Sequence, residues 1–328
     1  MKHFAANAMT VLIVGCIALI GFALYQIDSF SAPGATTEPT RVTIESGSTL
    51  KEASDVLEEA GAIESATIFR LGARYKGLET ELKQGEYEIP AGASMAEVLD
   101  IVTTGRSIQY RITVAEGLTS WEVVQILNES DLLTGEIVEV PKEGSLAPDT
   151  YFVSRGMSRE TVIGRMRAAQ EAILARAWEL RDPDSPLASP EEALILASII
   201  EKETGVAEER PLVGGVFVNR LRRGMRLQSD PTIIYGITNG EGPLDRPILR
   251  SDIRRATPYN TYTIDRLPPG PIANPGREAI LAAVAPEETE ALYFVADGTG
   301  GHAFANTLAE HERNVAAWRR IERERRNQ

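Results

Sequence analysis

From Phe4 to Ile27 the chain carries no charged residue, and from Ala8 to Tyr25 it is almost wholly apolar. About 20 apolar residues cross a bilayer core as a helix, so this run predicts a transmembrane helix. No small-x-small cleavage site leads into a polar mature start, which argues against a removable signal peptide. Ile13-Val14-Gly15-Cys16 is lipobox-like, but the apolar run continues past it, so Cys16 reads as a lipid-facing residue. Lys2 and His3 before the run, with acidic residues from Asp28 onward, predict an N-terminus inside and the remainder outside. Residues 1–28 are therefore expected to form a cytoplasmic tip and anchor. Residues 29–40, rich in Ser, Pro, Ala and Thr, are expected to be a linker.

After the linker the periodicity becomes that of a small α+β domain, and one pattern occurs twice. Arg41 to Glu52 aligns without gaps to Arg111 to Glu122. Each copy opens as an alternating strand, turns at Gly47 or Gly117, and starts a helix with a capping box, Thr49 with Glu52 or Thr119 with Glu122. Between the copies the pattern predicts a helix at Ser65–Tyr75, a strand at Gly85–Ile89 and a helix at Met95–Val102. The unit over 41–109 thus reads β-α-α-β-α, with a small mixed sheet and helices on one side. This order, with Ser46-Gly47-Ser48-Thr49-Leu50 at the first turn, resembles a LysM module, which binds N-acetylglucosamine glycans. A packing or spacer domain is the alternative. Residues 110–180 are read as the second strand–helix repeat and a connector. They include a long amphipathic helix over Arg159–Leu180, with Val162, Ile163, Met166, Ala169, Ile173 and Trp178 as core contacts.

In the C-terminal part (181–328), Ser189-Pro190-Glu191-Glu192 is a strong helix start. Leu194 to Ile200 is apolar all round, so the helix is expected to be buried, closing with Glu201-Lys202-Glu203-Thr204 and Gly205 as terminator. Carboxylates are disfavoured at the carbonyl end of a helix, and burial also disfavours their ionisation. Both effects suit a general acid, which must keep its proton near neutral pH. Glu203 lies over Ile199 and Ile200, and Glu201 points roughly the opposite way. One is expected to line a cleft and the other to be structural, paired to Lys202 or an arginine.

Composition narrows the chemistry. The 328 residues carry 34 Lys+Arg against 47 Asp+Glu, a net charge of −13, which makes nucleic-acid phosphates poor partners. A single cysteine excludes an intramolecular disulfide and Cys-rich metal sites. His3, His302 and His311 leave little for a histidine-based metal centre, so neither metal nor cofactor is expected. Tyrosines interleaved with amides and carboxylates suit a sugar cleft, where rings stack on pyranose faces and amides bond hydroxyls. On that basis Gln228, Asp230, Tyr235, Asn260 and Tyr262 are the candidate substrate-binding residues. Gly298 to Gly301 lacks the Gly-Lys-Ser/Thr of a phosphate loop and is expected to be a hairpin turn. His302 is expected either at the cleft border or as a turn residue. Thr307 with Glu310 is expected to cap a final helix.

The ordered series Pro148–Tyr151, Ala197–Thr204, Asn219–Thr232, Tyr259–Tyr262, Leu267–Gly270, Asn274–Gly276 and Tyr293–Gly298 resembles the endolytic murein lytic transglycosylases of the MltG/YceG family. Ser145-Leu146-Ala147 departs from the bulkier apolar residues that relatives often carry there. The resemblance implies a single-span inner-membrane enzyme with a periplasmic catalytic domain that cuts nascent peptidoglycan strands internally, between N-acetylmuramic acid and N-acetylglucosamine. The implied product is a 1,6-anhydro end, and the implied role is termination of strand elongation. The family's catalytic glutamate falls on Glu203, with Glu201 the secondary candidate, and penicillin-binding glycan polymerases are the implied partners. Two other readings stand beside it: a non-catalytic, membrane-tethered peptidoglycan-binding scaffold, and a hydrolytic muramidase.

Overall fold

The computed structural model describes residues 2–326. It is a mixed α+β protein whose chain divides into two compact units. The N-terminal helix α1 (Lys2–Ser31) contains one stretch, Leu12–Ser31, long and apolar enough to cross a membrane. The helix does not stop at Asp28 but runs on to Ser31, and the segment expected as a linker is held to the first unit at a few points, with Ser31–Pro33 and Thr37–Pro39 exposed. Phe30 is only 8% exposed and belongs to the core of the first unit. Gly34 N–H donates to Gly92 O (3.1 Å), and Gly92 N–H donates to Thr36 O (2.8 Å) and Thr36 Oγ1 (3.0 Å). Small residues such as Gly34, which lies against Ala93 O, permit close packing as readily as they permit flexibility. Composition alone therefore does not separate the two.

The first unit continues with β1 (Thr40–Ile44), α2 (Leu50–Glu59), α3 (Ala66–Tyr75), β2 (Gly85–Ile89) and α4 (Met95–Thr104). The β-α-α-β-α order is as expected. The sheet, however, is an antiparallel pair rather than mixed, running from Thr40 opposite Ile89 to Ile44 opposite Gly85. Val42, Ile44, Tyr87 and Ile89 face inward at alternate positions and pack on Leu57, Phe69, Val98, Leu99 and Val102. Full capping boxes start α2 (Thr49, Glu52) and α4 (Ser94, Glu97), and α4 ends on Gly105 at φ 78°.

Along the rest of the chain run β3 (Tyr110–Thr113), α5 (Ser120–Glu129), β4 (Leu133–Thr134), β5 (Thr150–Val153), β6 (Met157–Ser158) and α6 (Arg159–Glu179). They are followed by α7 (Pro190–Glu203), α8 (Arg210–Arg222), α9 (Asp230–Thr238), α10 (Arg250–Arg254), α11 (Arg277–Val284), β7 (Tyr293–Ala296), β8 (His302–Ala305) and α12 (Leu308–Arg326). The repeat holds locally. Thr49 and Thr119 adopt nearly the same backbone angles (φ −72°, ψ 162° and φ −73°, ψ 160°), and each opens a helix of 10 residues.

Chain grouping differs from the expected 41–109, 110–180 and 181–328. The first unit takes residues through Arg111 plus the returns Asp131–Thr134 and Phe152–Ser158, where β4 and β6 pair in parallel. The second copy of the repeat and α6 belong with the C-terminal part. The reason lies in long-range bonds that local pattern does not carry. Gly117 N–H donates to Asn274 O (3.0 Å), Asn274 N–H donates to Leu118 O (2.8 Å), and Lys202 Nζ donates to Gly117 O (3.0 Å).

In the second unit α7 is buried as expected. Leu196, Ile199 and Ile200 pack with Val213, Phe217 and Leu221 of α8 and with Ile280 and Val284 of α11. Gly214 lies against the Ala282 carbonyl, where a Cβ would collide, so the close approach of α8 to α11 requires glycine. Val162, Ile163 and Met166 of α6 are buried. The β7–β8 hairpin pairs Tyr293 with Ala305 through Ala296 with His302, and the expected turn at Gly298–Gly301 joins it. Thr307 and Glu310 cap α12.

Candidate active site

Helix α7 starts with Ser189 accepting from Glu192 N–H and ends at Glu203. Its terminator is Thr204, which turns into extended backbone (φ −137°, ψ 129°), rather than a left-handed Gly205. The buried Thr204 side chain makes this exit, accepting from Val206 N–H (3.0 Å) and donating to Glu209 Oε2 (3.3 Å).

The two glutamates at this end have separate fates. Glu201 has both oxygens committed: Oε1 accepts from Arg210 Nη2 (3.1 Å) and Oε2 from Gly276 N–H (2.9 Å). Arg210 Nη2 also reaches Glu116 Oε2 at 3.0 Å. Burial raises the Glu201 pKa against these bonds. The partner is thus an arginine, and Lys202 is occupied by Gly117 O. Glu203 has no ion-pair partner within bonding distance among the described residues. Burial first, and the neighbouring Asp230 charge second, push its pKa up to about 7, while Ser229, His302 and Arg220 pull the other way. A carboxyl poised there is half protonated near neutral pH and serves equally as proton donor and acceptor.

The groups around Glu203 come from four segments. Ser229 occupies the N-cap position of α9 but makes no capping bond, and its buried Oγ, with no other hydrogen-bond partner among the described residues, faces Glu203. The Ser229 backbone is held on both sides: its N–H donates to Thr261 Oγ1 (2.9 Å) and its carbonyl accepts from Thr232 Oγ1 (2.6 Å). Asp230 is exposed and accepts from Tyr262 OH at 2.7 Å. Arg220, buried in α8, donates to Leu292 O (2.6 Å) and Leu227 O (2.8 Å), with its guanidinium 5.2 Å from the Tyr293 ring centre. From the hairpin, His302 places Nδ1 2.7 Å from Glu209 Oε2, and its backbone N–H donates to Oε1 (2.8 Å). Since the carboxylate can only accept, Nδ1 carries the proton. His302 is thereby placed at the border of the site. Burial works to raise Glu209, but the bonds from His302 outweigh it and hold the carboxyl below its usual range.

Of the five expected sugar-binding residues, Asp230 and Tyr262 stand with Glu203. Gln228 is on the exposed rim in left-handed backbone (φ 51°), a conformation rare outside glycine. Tyr235 belongs to a second cluster, donating to Glu143 Oε2 (3.2 Å) with its ring 4.7 Å from Tyr259. Asn260 is not available to a ligand. It is 1% exposed, its Nδ2 donates to Asp252, Ile253 and Arg255 carbonyls, and its Oδ1 accepts from Tyr262 N–H. Its amide holds the turn that presents Tyr262, because a buried polar group must spend its hydrogen bonds.

Sequence reasoning missed Ser229, Arg220, Glu209 and Glu143. The first two lie inside the segment Asn219–Thr232, where Ser229 reads as a polar turn and Arg220 as part of a basic helix. Glu143 is half-buried, and that desolvation raises its pKa; it accepts from Ser120 N–H at 2.8 Å, and nothing local to Lys142-Glu143-Gly144 signals it.

A mixed α+β unit with a glutamic acid titrating at about 7 at the end of a buried helix, ringed by a serine, an aspartate–tyrosine pair, an arginine and a histidine, defines the class. The chain belongs to the YceG-like family, whose model matches residues 42–317. It is similar to the endolytic murein transglycosylase of Bacillus subtilis (strain 168), at 28% identity over 92% of this chain and 90% of that one. It is also similar to the endolytic murein transglycosylase of Streptococcus pneumoniae (strain D39), at 30% identity over 89% of this chain. The match spans 61% of that relative's length. A solved YceG-like protein of Listeria monocytogenes superposes with a TM-score of 0.52 at 28% identity, covering 85% of this chain and 99% of that one.

Proposed function

We propose that this chain is a peptidoglycan lytic transglycosylase with Glu203 as its single acid–base group. The observation that carries the reading is the Glu203 carboxyl with its pKa pushed up to about 7 and no ion-pair partner within bonding distance among the described residues. Glu203 protonates the glycosidic oxygen between N-acetylmuramic acid and N-acetylglucosamine, and the C1–O bond breaks with its electron pair going to that oxygen. The muramoyl C6 hydroxyl then attacks C1, and its proton returns to the Glu203 carboxylate. The products are a 1,6-anhydro end and a free 4-hydroxyl, with no water consumed. Arg220 and His302 support the carboxylate half of the cycle, and Asp230 with Tyr262 positions the sugar. Tyr235 and Gln228 extend the binding surface.

The names of the relatives support murein as the substrate. The apolar helix α1 supports a single-pass anchor with the catalytic unit on the periplasmic side of the inner membrane. In that setting the first unit serves as a LysM-like glycan-binding module, cleavage ends strand growth, and penicillin-binding polymerases are the neighbours.

The test is incubation of the full chain in detergent with uncrosslinked glycan strands, followed by mass spectrometry. Anhydro-ended fragments are expected, and Glu203→Gln should lower turnover by about 10²–10⁴-fold, the usual worth of a general acid. Fragments heavier by one water would instead make the enzyme a muramidase, with Asp230 beside Glu203 as the second carboxylate. Absence of cleavage by the wild type would leave a scaffold.

A further inference from the structure

The apolar helix runs unbroken into a folded module, and this fixes how far from the bilayer that module begins. Lys2 and Asp28 bracket the uncharged run Phe4–Ile27. If α1 is the span proposed above, the hydrocarbon ends no later than Ile27, since a carboxylate is costly inside it. Phe30 lies three residues further along the same helix, about 4.5 Å of axial rise. The polar layer on each side of a bilayer is roughly 5–7 Å thick. Phe30 therefore sits at headgroup depth, and it is not free there. Its ring edge lies against Gly72 of α3, where a Cβ would collide with it, and Lys76 Nζ is 5.7 Å from the ring centre.

The same end of α3 carries an unusual exposed set. Tyr75 is 91% exposed and Leu71, one turn earlier, is 49% exposed, with Arg74 and Lys76 exposed beside them. A tyrosine, an aliphatic side chain and two long cations are the residues that gain from an interface, with the ring at headgroup level and the charged tips reaching phosphates. In water Tyr75 gains nothing from its position.

We propose that the last turn of α3, through Leu71, Arg74, Tyr75 and Lys76, is an interfacial contact with the headgroup layer of the bilayer that α1 spans. The module is then seated on the membrane instead of swinging on a tether. The proposal rests on α1 as a span, so the experiment separates the two. The full chain is reconstituted into phosphatidylethanolamine–phosphatidylglycerol vesicles. A fluorophore on Cys16, the only cysteine in the chain, reports the anchor. The same fluorophore in Cys16→Ala/Tyr75→Cys reports the module, and in Cys16→Ala/Lys51→Cys it serves as a solvent reference.

The Cys16 label should be quenched by lipids carrying a nitroxide deep in the acyl chain. The label at position 75 should show a blue shift, quenching by headgroup-proximal nitroxide and loss of iodide quenching relative to position 51. Adding Arg74→Glu and Lys76→Glu should restore iodide access. A lipid-quenched Cys16 label, with position 75 as open to iodide as position 51, overturns the contact and leaves the anchor standing. A Cys16 label untouched by lipid nitroxides overturns the anchor, and the contact with it.

Discussion

Glu203 and Glu201 are two residues apart on one helix, and burial raises both; what separates them is how many bonds each already makes. Glu201 spends both oxygens on Arg210 and Gly276, whereas Glu203 faces a serine hydroxyl that has no other partner among the described residues. That hydroxyl favours the ionised form of Glu203. Ser229→Ala should therefore raise the Glu203 pKa and move the alkaline limb of kcat/KM to higher pH, while the folded state, measured by circular dichroism, stays intact. An unmoved limb would show that Ser229 plays no part in tuning the acid. The same ionisation acts on stability. In the folded state the pKa of Glu203 lies above the ordinary glutamate value of 4.5. Its contribution is therefore whole below that pH and is lost as pH rises through about 7. Residue types and order in Ala197–Thr204 marked Glu203 as the candidate acid. Sequence did not disclose that Asn260 spends its amide on a turn, because a saturated and an available amide look alike in one dimension.

At the scale of elements, the end of α7 is held by bonds from three other segments. Arg210 at the start of α8 bridges Glu201 and Glu116, and Gly276 before α11 donates to Glu201. The Glu201 side chain is 4% exposed and that of Arg210 13%. Removing one partner of a buried pair costs about 3–5 kcal/mol. Glu201→Gln should sit at the low end, since Glu116 remains with Arg210. The measurement is the denaturant midpoint together with activity per folded molecule: the midpoint falls and activity persists, the reverse of Glu203→Gln. Capping boxes, strand alternation and the hairpin were legible because each is a local pattern of side-chain chemistry. The end of α7 was not: in place of the expected glycine terminator, a buried Thr204 bonds Val206 and Glu209 just past the helix, and its burial is set by the fold around it.

For the molecule as a whole, each compact unit has a hydrophobic cluster of its own, and Phe30 joins α1 to the first of these. Phe→Ala in a core costs about 3–5 kcal/mol. Phe30→Ala should therefore destabilise the first unit by that order and open residues 29–36 to limited proteolysis, with the α7 unit unaffected. Protection of that segment in the variant would show that the strap Gly34–Thr36 holds without the ring.

The order of elements, the helix and strand starts, the apolar N-terminal run and the choice of Glu203 as candidate acid were read from the sequence alone. Each depends on periodicity, capping chemistry or motif order within a dozen or so residues. Tertiary structure alone decided that two copies of one repeat fall in different units, that Phe30 and Gly34–Thr36 fasten the Ser/Pro/Ala/Thr segment to the first unit, and which of Glu201 and Glu203 is left without an ion-pair partner among the described residues. These depend on bonds between residues far apart in the chain, such as Gly117 with Asn274 and Glu201 with Gly276. No local pattern encodes the partner at the other end of such a bond.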